Sequence, residues 1–283
     1  MISIILPARN ESLSLESLLI SIRRLYPSAE VILVDDGSDD STGVIAETYV
    51  TTIIHHPYSK GNGAAIKTGA RAAEGDILVF MDADGQHQPE DIPRLLDKMA
   101  EGYDMVVGAR AKGSQANTHR AAANGFYNWF ASWMVGQRIE DLTSGFRAVK
   151  ADKFRQFLYL LPNGFSYPTT ITMSFFRAGY SVAYLPIHTP RRIGKSHMKI
   201  WKDGLRFLLI IFKIGTLYSP LKLFFPISLF FFLAGVAHYI QTYLVYHRFT
   251  NMSAMLLITS VMVFLVGLVS EQITLLNYRD SDL

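Results

Sequence analysis

The sequence predicts an α/β protein with a mainly parallel sheet and helices on both faces. An amphipathic juxtamembrane helix and a C-terminal two-helix transmembrane hairpin follow it. Three observations carry this. Short, near-continuous apolar runs alternate with amphipathic stretches over residues 1 to about 150, the pattern of a parallel sheet covered on both sides. Leu223–Tyr246 has no fully charged residue, only His238, and Met252–Ser270 has none. Between Arg191 and Lys222, eight cations (Arg191, Arg192, Lys195, Lys199, Lys202, Arg206, Lys213 and Lys222) face one acid, Asp203. A basic belt beside an apolar span fits anionic lipid headgroups on a cytoplasmic face.

The elements follow in order. Ile2–Leu6 reads as a strand, and Ser14–Tyr26 as a helix with Leu15, Leu18, Leu19, Ile22 and Leu25 on one face. Val31–Val34 is a strand and Ser41–Tyr49 a helix; Thr52–His55 is a strand and Ala64–Ala73 a helix. Ile77–Met81 is a strand, Pro89–Ala100 a helix opened by proline, and Met105–Val107 a strand. Ile200–Leu217 mixes bulky apolar residues with Lys202, Arg206 and Lys213, as an interfacial helix does. The two apolar runs are each long enough for a bilayer core of about 30 Å. A short polar turn, His247–Asn251, separates them, and Tyr239, Tyr243 and Tyr246 suit an aromatic belt. The alternative is a pair of buried helices. The domains expected are 1–198 catalytic, 199–222 amphipathic, and 223–283 hairpin with a short tail.

The 283 residues are 49% hydrophobic with a net charge of +3, and contain no cysteine, which excludes disulfides and thiolate metal sites. Ile2–Leu6 is too short, and too poor in preceding basic residues, for a signal peptide. The catalytic part is therefore expected in the cytoplasm. Nothing points to nucleic acid.

Ligands in such sheets bind beyond the carboxyl ends of the strands, where Asp35, Asp36, Asp82 and Asp84 fall. Asp82 and Asp84 are two apart, so on extended backbone both carboxylates point the same way. With Gln86 they form a hard-oxygen set suited to Mg²⁺ or Mn²⁺ shared with substrate phosphates. The simpler alternative is acids capping the next helix. Lys60-Gly61-Asn62-Gly63 before a helix reads mainly as a backbone turn, with phosphate binding as the alternative. Arg120, Asn124, Asn128 and Ser132 recur every four residues and share a helix face; Phe126, Trp129, Phe130 and Trp133 form an aromatic face that could touch lipid. His55, His56, His87 and His197 lack metal-ligand spacing, so none is assigned as a ligand.

Pro7-Ala8-Arg9-Asn10-Glu11, Val34-Asp35-Asp36-Gly37-Ser38-Asp39-Asp40 and Asp82-Ala83-Asp84-Gly85-Gln86, in this order, resemble the GT-A fold family-2 glycosyltransferases. Among these the chain is most similar to the dolichyl-phosphate mannose synthase and polyprenyl-phosphate hexose synthase branch. Gly108-Ala109-Arg110, Asp141-Leu142-Thr143-Ser144-Gly145-Phe146-Arg147, Arg191-Arg192-Ile193-Gly194-Lys195-Ser196 and the terminal hairpin extend the resemblance over the whole chain.

The resemblance implies an inverting, metal-dependent transfer of a hexose from a GDP- or UDP-linked sugar to a polyprenyl phosphate (dolichyl or undecaprenyl). Pro7, Arg9, Glu11 and Ala83 would line the donor pocket, and Asp35 or Asp36 would read the base. Relatives often carry Tyr where this chain has Arg9, which changes that base contact. Asp82, Asp84 and Gln86 would hold Mg²⁺ or Mn²⁺. Arg192 and Lys195 would pair with the leaving diphosphate. Arg110, Arg120 and Ser132 would bind the acceptor phosphate. Relatives with such hairpins often associate, which implies a homo-oligomer.

A second reading uses a sugar or lipid hydroxyl as acceptor, with Asp141 as base. A third is a non-catalytic membrane protein that binds nucleotide sugars. A cytidylyl- or uridylyltransferase would carry a basic Gly-rich loop after the first strand, and this chain does not.

Overall fold

A computed structural model describes residues 1–110, 118–164, 166–188, 212 and 215–279, without the side chains of 118–124 and 277–279. The chain divides into two compact units, Met1–Met198 and Lys199–Leu283.

In the first unit the elements run β1 Ile2–Ala8, α1 Ser12–Leu25, β2 Glu30–Asp35, α2 Thr42–Glu47, β3 Thr52–His55, α3 Asn62–Ala72 and β4 Ile77–Phe80. After a 3₁₀ turn at Pro89–Asp91 come α4 Ile92–Ala100, β5 Met105–Arg110, α5 Thr118–Val135, β6 Arg147–Lys150, α6 Ala151–Arg155, α7 Tyr167–Arg177 and β7 Val182–Ile187. They build one seven-stranded sheet in the order β3-β2-β1-β4-β6-β5-β7. All neighbours are parallel except β6, which runs antiparallel to both β4 and β5. The expectation of a mainly parallel sheet covers this arrangement. The sequence predicts no strand beyond residue 107: β6 has a cation at each end, Arg147 and Lys150, around only two apolar residues, and β7 is interrupted by Pro186.

Pairing explains how a proline sits in a central strand. β1 pairs with β4 only over Ile2–Ile5, but with β2 over Ser3–Ala8. Pro7 lies past the end of β4, so its missing N–H costs no ladder bond on that side.

Alternation along the strands builds two cores. Ile4, Leu6, Leu33, Val79, Met81 and Val106 pack with Leu15, Leu18, Leu19 and Ile22 of α1 and with Leu95 and Met99. Leu25, expected on the same stripe, is 40% exposed at the end of α1. On the other face, Phe80 meets Phe154 at 4.6 Å and Tyr167 at 6.4 Å between ring centroids.

In the second unit two helices form a hairpin, α8 Pro220–Tyr246 and α9 Asn251–Arg279. Their apolar spans have mean hydropathy 1.9 and 2.5. At about 1.5 Å rise per residue each exceeds the hydrocarbon core. Polar groups inside the pair satisfy one another: Ser228 and Ser260 each donate Oγ to the other's carbonyl at 2.9 Å, and His238 Nδ1 lies 2.9 Å from Ser253 Oγ. Glu271 accepts the Leu221 N–H at 3.2 Å, at the start of α8. Most of the amphipathic helix expected between 199 and 222 lies outside the described residues.

Candidate active site

The carboxyl ends of β1, β2, β4 and β5 share one edge of the sheet, and the antiparallel β6 brings its preceding loop there too. Phe80, two residues before Asp82, is the register partner of Arg147. Residues 82–86 and 141–146 therefore meet, although about sixty positions separate them in the chain.

At the β4 exit, Gly85 takes φ +74°, a left-handed turn that glycine accepts without strain. Asp84 accepts the Gln86 N–H at 3.1 Å across this turn. Asp82 is held by its backbone: its N–H donates to His87 Nδ1 at 3.1 Å, while its carboxylate side chain keeps about a third of its surface exposed. His87 is buried and stacks on Phe146 at 5.1 Å. Ala83 is buried, and its carbonyl accepts Ser14 Oγ at 2.9 Å. The two carboxylates thus stand on a loop fixed from three directions.

The loop from 141 to 146 forms the facing wall. A Cβ at Gly145 would lie 2.9 Å from Asp82 Oδ2, so a side chain there would push that carboxylate aside. Ser144 Oγ donates to the Gly108 carbonyl at 2.6 Å, and Tyr167 OH to the Gly145 carbonyl at 3.1 Å. Arg147 is fully buried, donates to the carbonyls of Ser144 and Pro168, and lies 5.7 Å from the Tyr167 ring. Burial pushes its guanidinium below the ordinary value. Arg147 thus braces the site from beneath, a role that its place in the 141–147 motif does not reveal.

Arg110 and Asp141 form a two-pronged ion pair, Nε–Oδ2 at 2.8 Å and Nη2–Oδ1 at 2.9 Å. Asp141 also accepts the backbone N–H of Arg110 at 3.2 Å and of Thr143 at 3.1 Å. Burial raises the Asp141 pKa, but the Arg110 hydrogen bonds and charge and the two N–H groups outweigh it and hold the carboxyl below the usual range. Ser132 faces this loop: its Oγ donates to the Asn128 carbonyl at 2.6 Å and accepts the Ile139 N–H at 2.9 Å. Asn128, noted in the sequence only for its spacing, donates Nδ2 to the Glu140 carbonyl at 2.7 Å and accepts the Leu142 N–H at 3.1 Å. Arg120 lies on α5, but its side chain is outside the described residues, as are Arg192, Lys195 and His197.

At the ends of β1 and β2, Pro7 is buried, and exposed Arg9 donates Nη1 to Ser59 Oγ at 3.0 Å. The Glu11 N–H donates to Thr42 Oγ1 at 2.9 Å. Asp35 accepts the Ser38 N–H at 2.9 Å and lies 3.0 Å from His55 Nδ1. Asp36 is buried and accepts four protein groups. His56 Nδ1 at 2.7 Å and the Lys60 N–H at 2.8 Å meet Oδ1; Ser59 Oγ and the Gly61 N–H, both at 2.8 Å, meet Oδ2. These partners leave Asp36 building the 56–61 turn. The phosphate alternative at the start of α3 loses support, because Gly63 and Ala64 donate their N–H groups to the carbonyls of Gly164 and Asn163.

Burial raises the Asp36 pKa, but these four donors outweigh it and hold the carboxyl below its ordinary value. A depressed folded-state pKa stabilises the fold fully above the unfolded value of about 4, and the contribution fades as pH falls through the folded value. Asp36→Asn should therefore cost about 3 kcal/mol in a thermal melt of the detergent-solubilised chain at pH 7. The gap to wild type should narrow below pH 4. An unchanged melt at pH 7 would remove the structural role.

Residues 3–163 match glycosyl transferase family 2, and residues 219–276 match the GtrB C-terminal hairpin. The chain is 32% identical over 209 residues to an undecaprenyl-phosphate mannosyltransferase of Micrococcus luteus, covering 69% of this chain and 86% of that protein. It is 29% identical over 211 residues to a polyprenol monophosphomannose synthase of Mycolicibacterium smegmatis, covering 69% and 80%. The fold resembles that of glucosyl-3-phosphoglycerate synthase of Mycobacterium tuberculosis, with TM-score 0.61 and 22% identity over 76% of this chain and 78% of that one. Length, hydropathy and the matched hairpin family mark α8 and α9 as membrane-associating. With its sheet-edge aspartates, facing loop and matched domains, the chain belongs to glycosyl transferase family 2 and is a glycosyltransferase with a GtrB-type C-terminal hairpin.

Proposed function

We propose that this enzyme transfers a hexose from a nucleoside diphosphate sugar to a polyprenyl phosphate at a membrane, with inversion at the anomeric carbon. Met1–Met198 would be the catalytic unit, facing the cytoplasm. The observation that carries this reading is the meeting, at one sheet edge, of a pair of acids and a guanidinium held in place by its own carboxylate. Asp82 and Asp84 stand beside the 141–146 loop, and that loop's Asp141 orients the Arg110 guanidinium. The first suits a cation-bound diphosphate, the second a phosphate monoester.

The donor set fits a hard divalent cation. Two carboxylates and the Gln86 side-chain oxygen are all oxygen ligands, and among the described residues no cluster of three His, Cys, Asp or Glu competes with them. Such a small set suits an ion completed by water and substrate phosphates. Mn²⁺ and UDP are bound in the solved glucosyl-3-phosphoglycerate synthase, which supports the same use here. The cation would neutralise the donor diphosphate.

The remaining roles belong to the chain itself. Arg110, oriented by Asp141, would hold the acceptor phosphate, and Arg120 would assist. An acceptor oxygen attacks the anomeric carbon as the bond to the diphosphate breaks, and nucleoside diphosphate leaves with the electron pair. A phosphate monoester carries nearly two charges at neutral pH, so no proton need be removed. Positioning and charge neutralisation then supply most of the rate. Arg192 and Lys195 would pair with the departing diphosphate. Arg9 and Glu11 would border the nucleotide, with Asp35 as the more available base reader because Asp36 is taken up by four protein donors. The relatives named as undecaprenyl-phosphate and polyprenol-phosphate mannosyl enzymes support the acceptor class.

The test is a screen of radiolabelled GDP- and UDP-sugars with polyprenyl phosphate and the full chain in membranes. A product cleaved by mild acid is expected, as for a glycosyl phosphate. An acid-stable glycoside would overturn the reading in favour of a hydroxyl acceptor.

A further inference from the structure

We propose that His87 is a positioning residue that sets the two walls of the site against each other: one edge of its imidazole fixes the backbone of Asp82, and one face carries the 141–147 loop. Which substrate each wall serves rests on the function proposed above; the double hold does not.

His87 has no ligand spacing in the sequence, and the proposed chemistry does not use it. Yet its side chain is buried at the edge where that chemistry is placed. The backbone explains why. Met81 still donates its N–H to the Ile5 carbonyl of β1 at 3.1 Å, so the sheet ladder reaches that far. Asp82 comes next, and its N–H passes to a side chain, His87 Nδ1, at 3.1 Å. The left-handed turn at Gly85 and the Gln86 N–H bond to Asp84 bring residue 87 back to residue 82. An imidazole nitrogen that accepts a hydrogen bond carries no hydrogen, so the ring hydrogen sits on Nε2. Asp82 Oδ2 lies 3.9 Å from the same Nδ1, beyond hydrogen-bond reach. The histidine therefore acts on the backbone of Asp82 rather than on its carboxylate.

The face of the ring makes the second contact. It stacks on Phe146, with centroids 5.1 Å apart and planes 20° apart. Phe146 is fully buried and fastened to β5: its carbonyl accepts the Gly108 N–H at 2.9 Å, and a Cβ at Gly108 would lie 2.7 Å from its ring. The adjoining Gly145 abuts the Asp82 carboxylate, and the same loop carries Asp141, which orients Arg110. One side chain thus touches the backbone of the first wall and the aromatic anchor of the second. Partners that orient ligating groups in this way typically matter by about 10–100-fold in metal affinity or activity.

Two substitutions separate the contacts. Asparagine places Oδ1 where the imidazole Nδ1 stands, so His87→Asn keeps the acceptor and loses the stacked ring. His87→Phe keeps the ring and loses the acceptor. The first readout is hydrogen–deuterium exchange in the detergent-solubilised full chain, with neither metal nor substrate added. His87→Phe should speed exchange about ten-fold in residues 82–87 and leave 141–147 at the wild-type rate. His87→Asn should do the reverse, with exchange about five-fold faster in 141–147 only. A histidine that merely fills space gives another pattern, in which each variant loosens both segments in step with its fall in melting temperature. That pattern, or wild-type exchange in both variants, would overturn the double hold.

The second readout assigns the walls, using polyprenyl phosphate and the nucleoside diphosphate sugar selected in the screen above. His87→Phe should raise KM for the sugar donor about ten-fold, and leave KM for the lipid unchanged. His87→Asn should raise KM for the lipid about five-fold, and leave KM for the donor unchanged. Both constants rising together in each variant would overturn the assignment. If no polyprenyl phosphate is used with any donor, the function proposed above fails, while the exchange result still decides the double hold.

Discussion

Asp84→Asn should lower kcat/KM about 10³-fold, roughly 4 kcal/mol of transition-state stabilisation, and leave the fold intact. The two halves of this expectation have different physical causes. Asp84 is half-buried and accepts the Gln86 N–H at 3.1 Å. An asparagine oxygen can accept that bond, so the turn at Gly85 survives and the melting temperature should move by no more than about 2 °C. What is lost is one negative charge from a small oxygen donor set, and with it the hold on a divalent cation. Chelation of divalent ions should abolish wild-type transfer, and Mn²⁺ or Mg²⁺ should restore it; in the variant, restoration should need far more metal. A variant retaining half the wild-type activity would remove Asp84 from the site.

Asp141→Asn should behave differently, because this carboxylate is engaged by the protein rather than left for a ligand. Losing the charge beside partly buried Arg110 should destabilise the chain by about 2–3 kcal/mol, since the guanidinium loses its two-pronged partner. KM for the lipid phosphate should rise by about ten-fold or more, with nucleoside diphosphate binding unchanged. The pH profile adds an independent sign. Arg110 and the N–H groups of Arg110 and Thr143 hold the Asp141 pKa below its usual range against the effect of burial. Its stabilising charge is therefore complete above about pH 4 and is lost only as pH falls through the lower folded value. No Asp141 limb should appear in kcat between pH 5 and 8. A hydroxyl acceptor would need Asp141 as base; kcat would then collapse in the variant and an acid limb would vanish with it. That pattern would exchange the proposed acceptor for the alternative one.

The sequence by itself determined the alternating strands and helices through residue 107, the apolar hairpin, and the placing of Asp35, Asp36, Asp82 and Asp84 at strand ends. These are local properties: apolar runs, helical period and turn residues are written in consecutive positions. The tertiary structure decided what those residues have left to offer. Asp35 and Asp36 look alike in the chain, yet four protein donors converge on Asp36 because the 56–61 turn folds back over it. Ser132 and Asp141, expected at substrate, hold loop and guanidinium in the folded chain, with Asn128 between them. The deciding event is the antiparallel insertion of the four-residue β6, which carries the 141–146 loop to the edge where Asp82 stands. With Arg147 and Lys150 at its ends β6 has no apolar run to read, and its direction is set by which neighbours it pairs with, a long-range choice that no local pattern encodes.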